Sequence, residues 1–224
     1  AGNGLILFRG DEPWYRIDLY GDAFFEALHE IGIEQTVTIE GYNGPAPPDL
    51  ERRISCVYSK ESMKGTLDNF GLQYSNYGSN GGQGPTIGMA LINMAHFEHP
   101  DVEIFRLGAM APMYPFATSS NQQVGIPTDH RSFYDIMRRL KAMFGLDIDL
   151  SELKTLGDNE SDKLKSSLDR ISTNNSEAKA IIEQARSDFS YIPFEEPLDI
   201  NPDLDRALQD ILEEQSDLTD NPDI

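Results

Sequence analysis

Apolar and polar positions change period several times along the first 145 residues. Leu5 to Phe8 is a short unbroken apolar run, the pattern of a strand buried on both faces of a parallel sheet, and Arg9-Gly10-Asp11-Glu12-Pro13 stops it. From Ile17 to Ile31 the apolar residues Phe24, Phe25, Leu28 and Ile31 recur at helical spacing, and Gly32 is placed to end that helix. Gln35 to Ile39 alternates and is rich in β-branched residues, which predicts a second strand running into Glu40-Gly41-Tyr42-Asn43-Gly44. Pro45, Pro47 and Pro48 exclude regular structure beyond it. Arg53 to Tyr58 has the pattern of a third strand. Residues 71 to 84, rich in Gly, Ser, Asn and Tyr, form a long loop, and Pro85 opens a helix whose apolar face is Ile87, Ala90, Leu91, Met94 and Ala95. Val102 to Leu107 is a fourth strand. Thr128 or Asp129 caps a last helix with the stripe Phe133, Ile136, Met137, Leu140 and Phe144, ended by Gly145.

Strands alternating with helices predict an α/β fold with a mostly parallel sheet covered on both faces. After Gly145 the strand pattern stops. Leu150 to Thr155, Lys163 to Ile171, Ser176 to Phe189 and Pro202 to Gln215 have helical periodicity but thin apolar stripes, so they are expected to pack on the α/β body. The expected organisation is a core domain over 1–145, an acidic helical extension over 146–215 and a polar, disordered tail over 216–224.

Charge sharpens that division. The chain carries 38 Asp and Glu against 18 Lys and Arg, a formal charge of −20. Residues 146–224 hold 21 of the acids and 7 of the bases, leaving only −6 on the first 145 residues. Such a balance repels phosphate backbones and anionic membrane surfaces, so neither nucleic acid nor membrane is the expected partner. The lone Cys56 rules out an intrachain disulfide, and no apolar run reaches the roughly 18 residues of a membrane span. No secretory signal is recognisable, and a cytoplasmic location is the expectation. The sequence opens on Ala1-Gly2-Asn3-Gly4 rather than Met, which suggests that residues upstream have been removed.

Candidate chemistry is sparse. There is no Gly-x-Ser-x-Gly, and Cys56, in mid-strand, reads as a buried structural thiol. His96 and His99 stand three apart near a helix end, a spacing that suits a shared metal, but no third ligand is apparent and no metal is expected. Gly78-Ser79-Asn80-Gly81-Gly82-Gln83-Gly84 lacks the lysine of a phosphate cradle and reads as a flexible loop; no cofactor motif is present. Position in the fold says more. Ligands gather beyond the carboxyl ends of parallel strands. The loops expected there carry Glu12, Trp14, Glu40 and Tyr114, the candidate binding residues.

These residues also carry a family resemblance. Leu5-Ile6-Leu7-Phe8-Arg9-Gly10-Asp11-Glu12-Pro13-Trp14 resembles the strand, Gly-x-Glu-Pro turn and Trp of the proteasome-assembly-chaperone-2-like domain family. The similarity continues through Gln35-Thr36-Val37-Thr38-Ile39-Glu40-Gly41, the Pro112-Met113-Tyr114-Pro115 turn and Phe144-Gly145-Leu146-Asp147-Ile148-Asp149-Leu150-Ser151-Glu152-Leu153, covering residues 5 to 155. The acidic tail is similar in kind to that of longer bacterial members. Two family histidines are missing: Ala46-Pro47-Pro48-Asp49-Leu50 stands for Pro-His-Thr-Arg-Pro, and Ala111-Pro112-Met113-Tyr114 for Val-Pro-His-Tyr. Only Tyr114 carries over. The family's first strand and glycine-containing loop are expected upstream of residue 1. The resemblance implies a three-layer α/β/α core of phosphorylase-like topology and assembly into homo-oligomers, trimers among them. It also implies a non-catalytic binding or assembly role with a protein partner. The alternative is a small-molecule hydrolase or nucleoside-phosphorylase-like enzyme using Glu12, Glu40 and Tyr114, with the helical extension as a lid.

Overall fold

The computed structural model describes residues 5–11, 13–75, 86–117 and 123–196. The loop over 76–85, Glu12, the predicted helix over 202–215 and the tail over 216–224 lie outside the described residues. Helix α1 (Ile17–Ile31) buries Phe25 and Leu28, and α4 (His130–Phe144) buries Ile136 and Leu140; each ends where the sequence predicts, on a glycine of positive φ (Gly32, 71°; Gly145, 59°). Between them lie β1 (Gln35–Gly44), β2 (Ile54–Tyr58), the one-turn helix α2 (Lys64–Leu67), β3 (Gln73–Tyr74), α3 (Ile87–Phe97), β4 (Glu103–Ala117) and β5 (Gln123–Gly125). The C-terminal helices are α5 (Ser151–Asn174) and α6 (Ser176–Asp188).

The strand order is β1-β4-β2-β3, with β5 on the far part of β4. The α/β class holds, but the sheet is mixed where alternation predicts mostly parallel pairing. β1 with β4 and β2 with β3 are parallel, while β2 with β4 and β4 with β5 are antiparallel. The physical reason is the Pro-rich connection after β1. It is too short to hold a crossover helix, so β2 comes back against the direction of β1 and β4.

Alternation along β4 divides the core into two layers. Ile104 packs with Phe25, Leu28, Met89 and Ile92 beneath α1 and α3. Phe105, Leu107 and Ala109 face the opposite way, onto Ile54, Cys56, Leu67, Ile136 and Leu140 under α2 and α4. Burial pushes the Cys56 thiol up to about 12, as a thiolate is poorly solvated there. A third cluster joins Tyr114, Val124 and Ile126 of the β4–β5 hairpin to Leu164 and Leu168 of α5. Among the described residues, no helix is long and apolar enough to cross a membrane.

Two predicted elements differ. Leu150–Thr155 and Lys163–Ile171 are one continuous 24-residue helix, α5. The polar interval between them contains Gly157, where a Cβ would meet the Arg131 backbone at 2.7–2.8 Å, so the absent side chain lets α5 lie against the first turn of α4. Leu5–Phe8 forms no strand and is exposed at every residue. An apolar run becomes a buried strand only with a sheet partner and covering helices, and among the described residues it has no strand partner.

A buried ionic seam ties these layers together. The Arg52 side chain is completely buried, with its Nε 2.8 Å from Asp129 Oδ2. Its Nη1 donates to the carbonyls of Pro47, Pro48 and Leu50, and Nη2 to Asp129 and Ser161. The Arg52 backbone N–H donates to Asp135 at 2.8 Å. Arg139, also fully buried, donates to the carbonyls of Phe70 and Asp135 and to Glu51. His130 adds a 2.6 Å contact with Glu160 of α5. The seam fastens the Pro-rich connection, α4 and α5 to one another.

Candidate functional site

The polar residues of interest share one face of the sheet. Pairing sets Glu40 opposite Gly108 on one side of β4 and Ser55 opposite Gly108 on the other. With the two-residue period, Glu40, Tyr42 and Gly44 of β1, Arg106, Gly108 and Met110 of β4, and Ser55 of β2 all face the α3 side. Arg53, just before β2, continues that row. Apolar packing beneath α1 and α3 therefore gives way to a polar row, which opens into a crevice against α6.

Glu40 anchors the row. Its carboxylate accepts from Arg106 Nε at 2.5 Å and from the backbone N–H of Gly88, in the first turn of α3, at 3.2 Å. Both charged side chains are largely buried, at 16% and 10% exposed, and the helix N-terminus adds favourable partial charge to the carboxylate. A side chain at position 88 would collide with the Glu40 carboxylate and the Thr38 hydroxyl, so glycine is what lets the helix end come this close. Arg106 Nη1 also donates to Ser55 Oγ at 3.4 Å, and Ser55 Oγ donates to the Gly108 carbonyl at 3.1 Å. The Tyr42 hydroxyl is pushed up in pKa by burial, opposed by its Ser55 contact and by the charges of Arg53 and Arg106.

Beyond this row lies a crevice of about 600 Å³, lined by Pro45, Arg53 and Met110 of the body and by Ile181, Ala185 and Phe189 at the α6 side. Arg53 is held across it. Its Nε donates to the Ser190 carbonyl at 2.7 Å, and its guanidinium lies 5.0 Å from the centroid of the Phe189 ring. The crevice thus sits at the carboxyl end of β1, where parallel-strand geometry predicts a ligand would gather.

The predicted site residues do not all meet here. Glu40 sits in the row. Tyr114 stands six residues farther along β4 than Gly108, roughly 20 Å by strand rise, and only 2% of its area is exposed. Its hydroxyl donates to the Ala46 carbonyl at 3.2 Å, and burial pushes its pKa up to about 12. Trp14 is 97% exposed, and Glu12 lies outside the described residues. Arg53, Arg106, Ser55 and Tyr42 are the site residues that sequence reasoning missed. One signal could have found two of them: Arg106 and Ser55 are polar residues inside otherwise apolar strands, and buried polar groups need a partner.

Chemically, the row can bind and orient but lacks an activated nucleophile. Ser55 Oγ touches a carbonyl and a guanidinium, neither of which is a base. Glu40 is held as an ion-paired carboxylate.

No family model and no curated protein matches the chain. Solved structures do. A protein of unknown function from Corynebacterium glutamicum superposes with a TM-score of 0.57 at 11% identity, over 92% of this chain and 61% of that one. A PAC2 family protein from Streptomyces avermitilis gives 0.53 at 23% identity, over 73% of this chain and 60% of that one. A proteasome-assembly chaperone homologue from Mycobacterium tuberculosis gives 0.52 at 15% identity, over 69% and 58% respectively. The chain spans about three fifths of the length of each. The backbone thus agrees with the likeness that the Gly-x-Glu-Pro and Phe144–Leu153 segments suggest: this chain has the fold of PAC2 family proteins.

Proposed function

We propose that the chain is a non-catalytic assembly protein that works through protein–protein contact and self-associates through an apolar strip at its N-terminal side. The observation that carries this is the exposure of that strip. Leu5, Ile6, Leu7 and Phe8 are 59–87% exposed, and Trp14 and Tyr15 follow at 97% and 81%. Scattered surface apolar residues need no explanation, but six within eleven positions mark a contact surface. The aromatic pair fits, since Trp and Tyr are enriched at the centres of interfaces. β1 adds a second adhesive element, for among the described residues only β4 pairs with it and its other edge is open. The PAC2-type fold and the chaperone homologue among the similar structures support the same reading.

Light scattering on a sizing column tests it. The wild-type chain is expected to run as an oligomer, and Leu7→Asp with Trp14→Ala to shift it to monomer without loss of helical signal. A wild-type chain that stays monomeric at high micromolar concentration would sink the self-association.

The crevice supports one alternative, a small-molecule enzyme with α6 as its lid. Tyr114 is buried away from it, so Glu40 and Tyr42 would have to supply its acid–base chemistry. Saturable binding of a nucleoside or phosphate, weakened by Arg53→Ala, is the result that would favour it.

A further inference from the structure

At the opposite end of α3 from the crevice, side chains of two helices converge in a way the local sequence does not show. We infer that Asp22 of α1 together with Glu98 and His99, just past the end of α3, forms a binding site for a divalent transition-metal ion that staples α1 to α3. One carboxylate oxygen from each acid and one ring nitrogen of His99 all lie within 4.8 Å of one another. Ligands about 2.1 Å from a shared ion sit roughly 3.0–3.5 Å apart, so closure needs movements of about an ångström. Asp22 and Glu98 are exposed and free to make them.

His99 is already held. Its ring stacks on Phe25 at 4.0 Å and 10°, and Phe25 is completely buried. A ligand whose plane is fixed by a core residue spends little entropy on binding. The two carboxylates, by contrast, repel one another. Among the described residues neither forms an ion pair, and Arg16, whose charge Asp22 feels, is committed to Asp18 at 2.8 Å. A cation between them relieves that repulsion. His29 borders the cluster, 5.7 Å from the His99 ring, and bonds Asp101 at 2.8 Å through Nε2, a second imidazole–carboxylate pair to support the first. One imidazole with two carboxylates suits zinc or cobalt better than magnesium or calcium, which prefer all-oxygen sets.

The pairing differs from the one the sequence suggests. His96 turns toward the sheet, its Nδ1 2.8 Å from the Ser59 carbonyl, and the third ligand arrives from α1.

Titration with Co²⁺ and Zn²⁺, followed by calorimetry and by the visible absorption of cobalt, tests the site. One ion per chain is expected, with cobalt bands of a nitrogen-containing site. His99→Ala should weaken binding at least tenfold, the scale on which even supporting partners act. Asp22→Ala, exposed and harmless to folding, should do the same, and His96→Ala should leave affinity unchanged. Absence of saturable binding overturns the site. So does equal affinity in Asp22→Ala, or an equal response to Mg²⁺, which would mark only the acidic surface.

Discussion

Two regions of this molecule invert the ordinary placement of charge and oil. In the seam around Arg52 and Arg139, guanidinium and carboxylate groups are sealed inside. In the strip from Leu5 to Tyr15, large apolar side chains stand in solvent. The seam tolerates its charges because each donor meets a carbonyl or carboxylate, so the desolvation cost is offset within the protein. The strip has no such offset among the described residues. One region is therefore complete in a single chain, and the other is complete only when something covers it. Buried charge here serves docking: Arg52 bonds at once to the Pro-rich connection, to Asp129 and to Ser161 of α5, and only one arrangement of those pieces satisfies it.

The sharpest break of that contrast is Arg52→Ala. It leaves Asp129 buried without its partner and should cost about 3–5 kcal/mol in chemical denaturation. Replacing both members, Arg52→Met with Asp129→Leu, should recover part of that loss; failure to recover would mean the seam stabilises rather than specifies. Next comes Glu40→Gln, which removes the charge facing Arg106 while keeping the shape. About 2 kcal/mol is expected, together with looser protection of the α3 amides in hydrogen exchange. Tyr114→Phe deletes one buried hydroxyl donating to the Ala46 carbonyl and should cost about 1 kcal/mol. At the small end, Leu7→Asp in the strip should change the stability of the monomer by less than about 0.5 kcal/mol, because the side chain is 87% exposed. A large loss there would place the strip with the core and erase the contrast.

Legibility followed the range of the interactions involved. The bounds of α1 and α4 stand in the sequence because a stripe of apolar residues and a terminal glycine act within a few residues of each other. Glu40 was legible as a loop carboxylate at a strand end. Its partner Arg106 was not, for the two meet only because β4 inserts between β1 and β2, 66 residues away in the chain. Tyr114 illustrates the opposite case. As a residue in a Pro-flanked turn it resembles a site tyrosine, but the β4–β5 hairpin and α5 close over it. The run Leu5–Phe8 has strand composition without a strand partner, and composition carries no information about partners.

By itself the sequence determined the α/β class, the helical extension with its −14 share of the charge, and the helix ends, since periodicity, composition and capping are local properties of a chain. Tertiary structure alone decided the mixed direction of the sheet, the burial of Arg52 and Arg139, the Glu40–Arg106 pair and the meeting of Asp22 with Glu98 and His99. The physical reason is common to all four. Each depends on which distant segments become neighbours, and that is fixed by the summed burial and pairing of the whole chain rather than by any stretch of it.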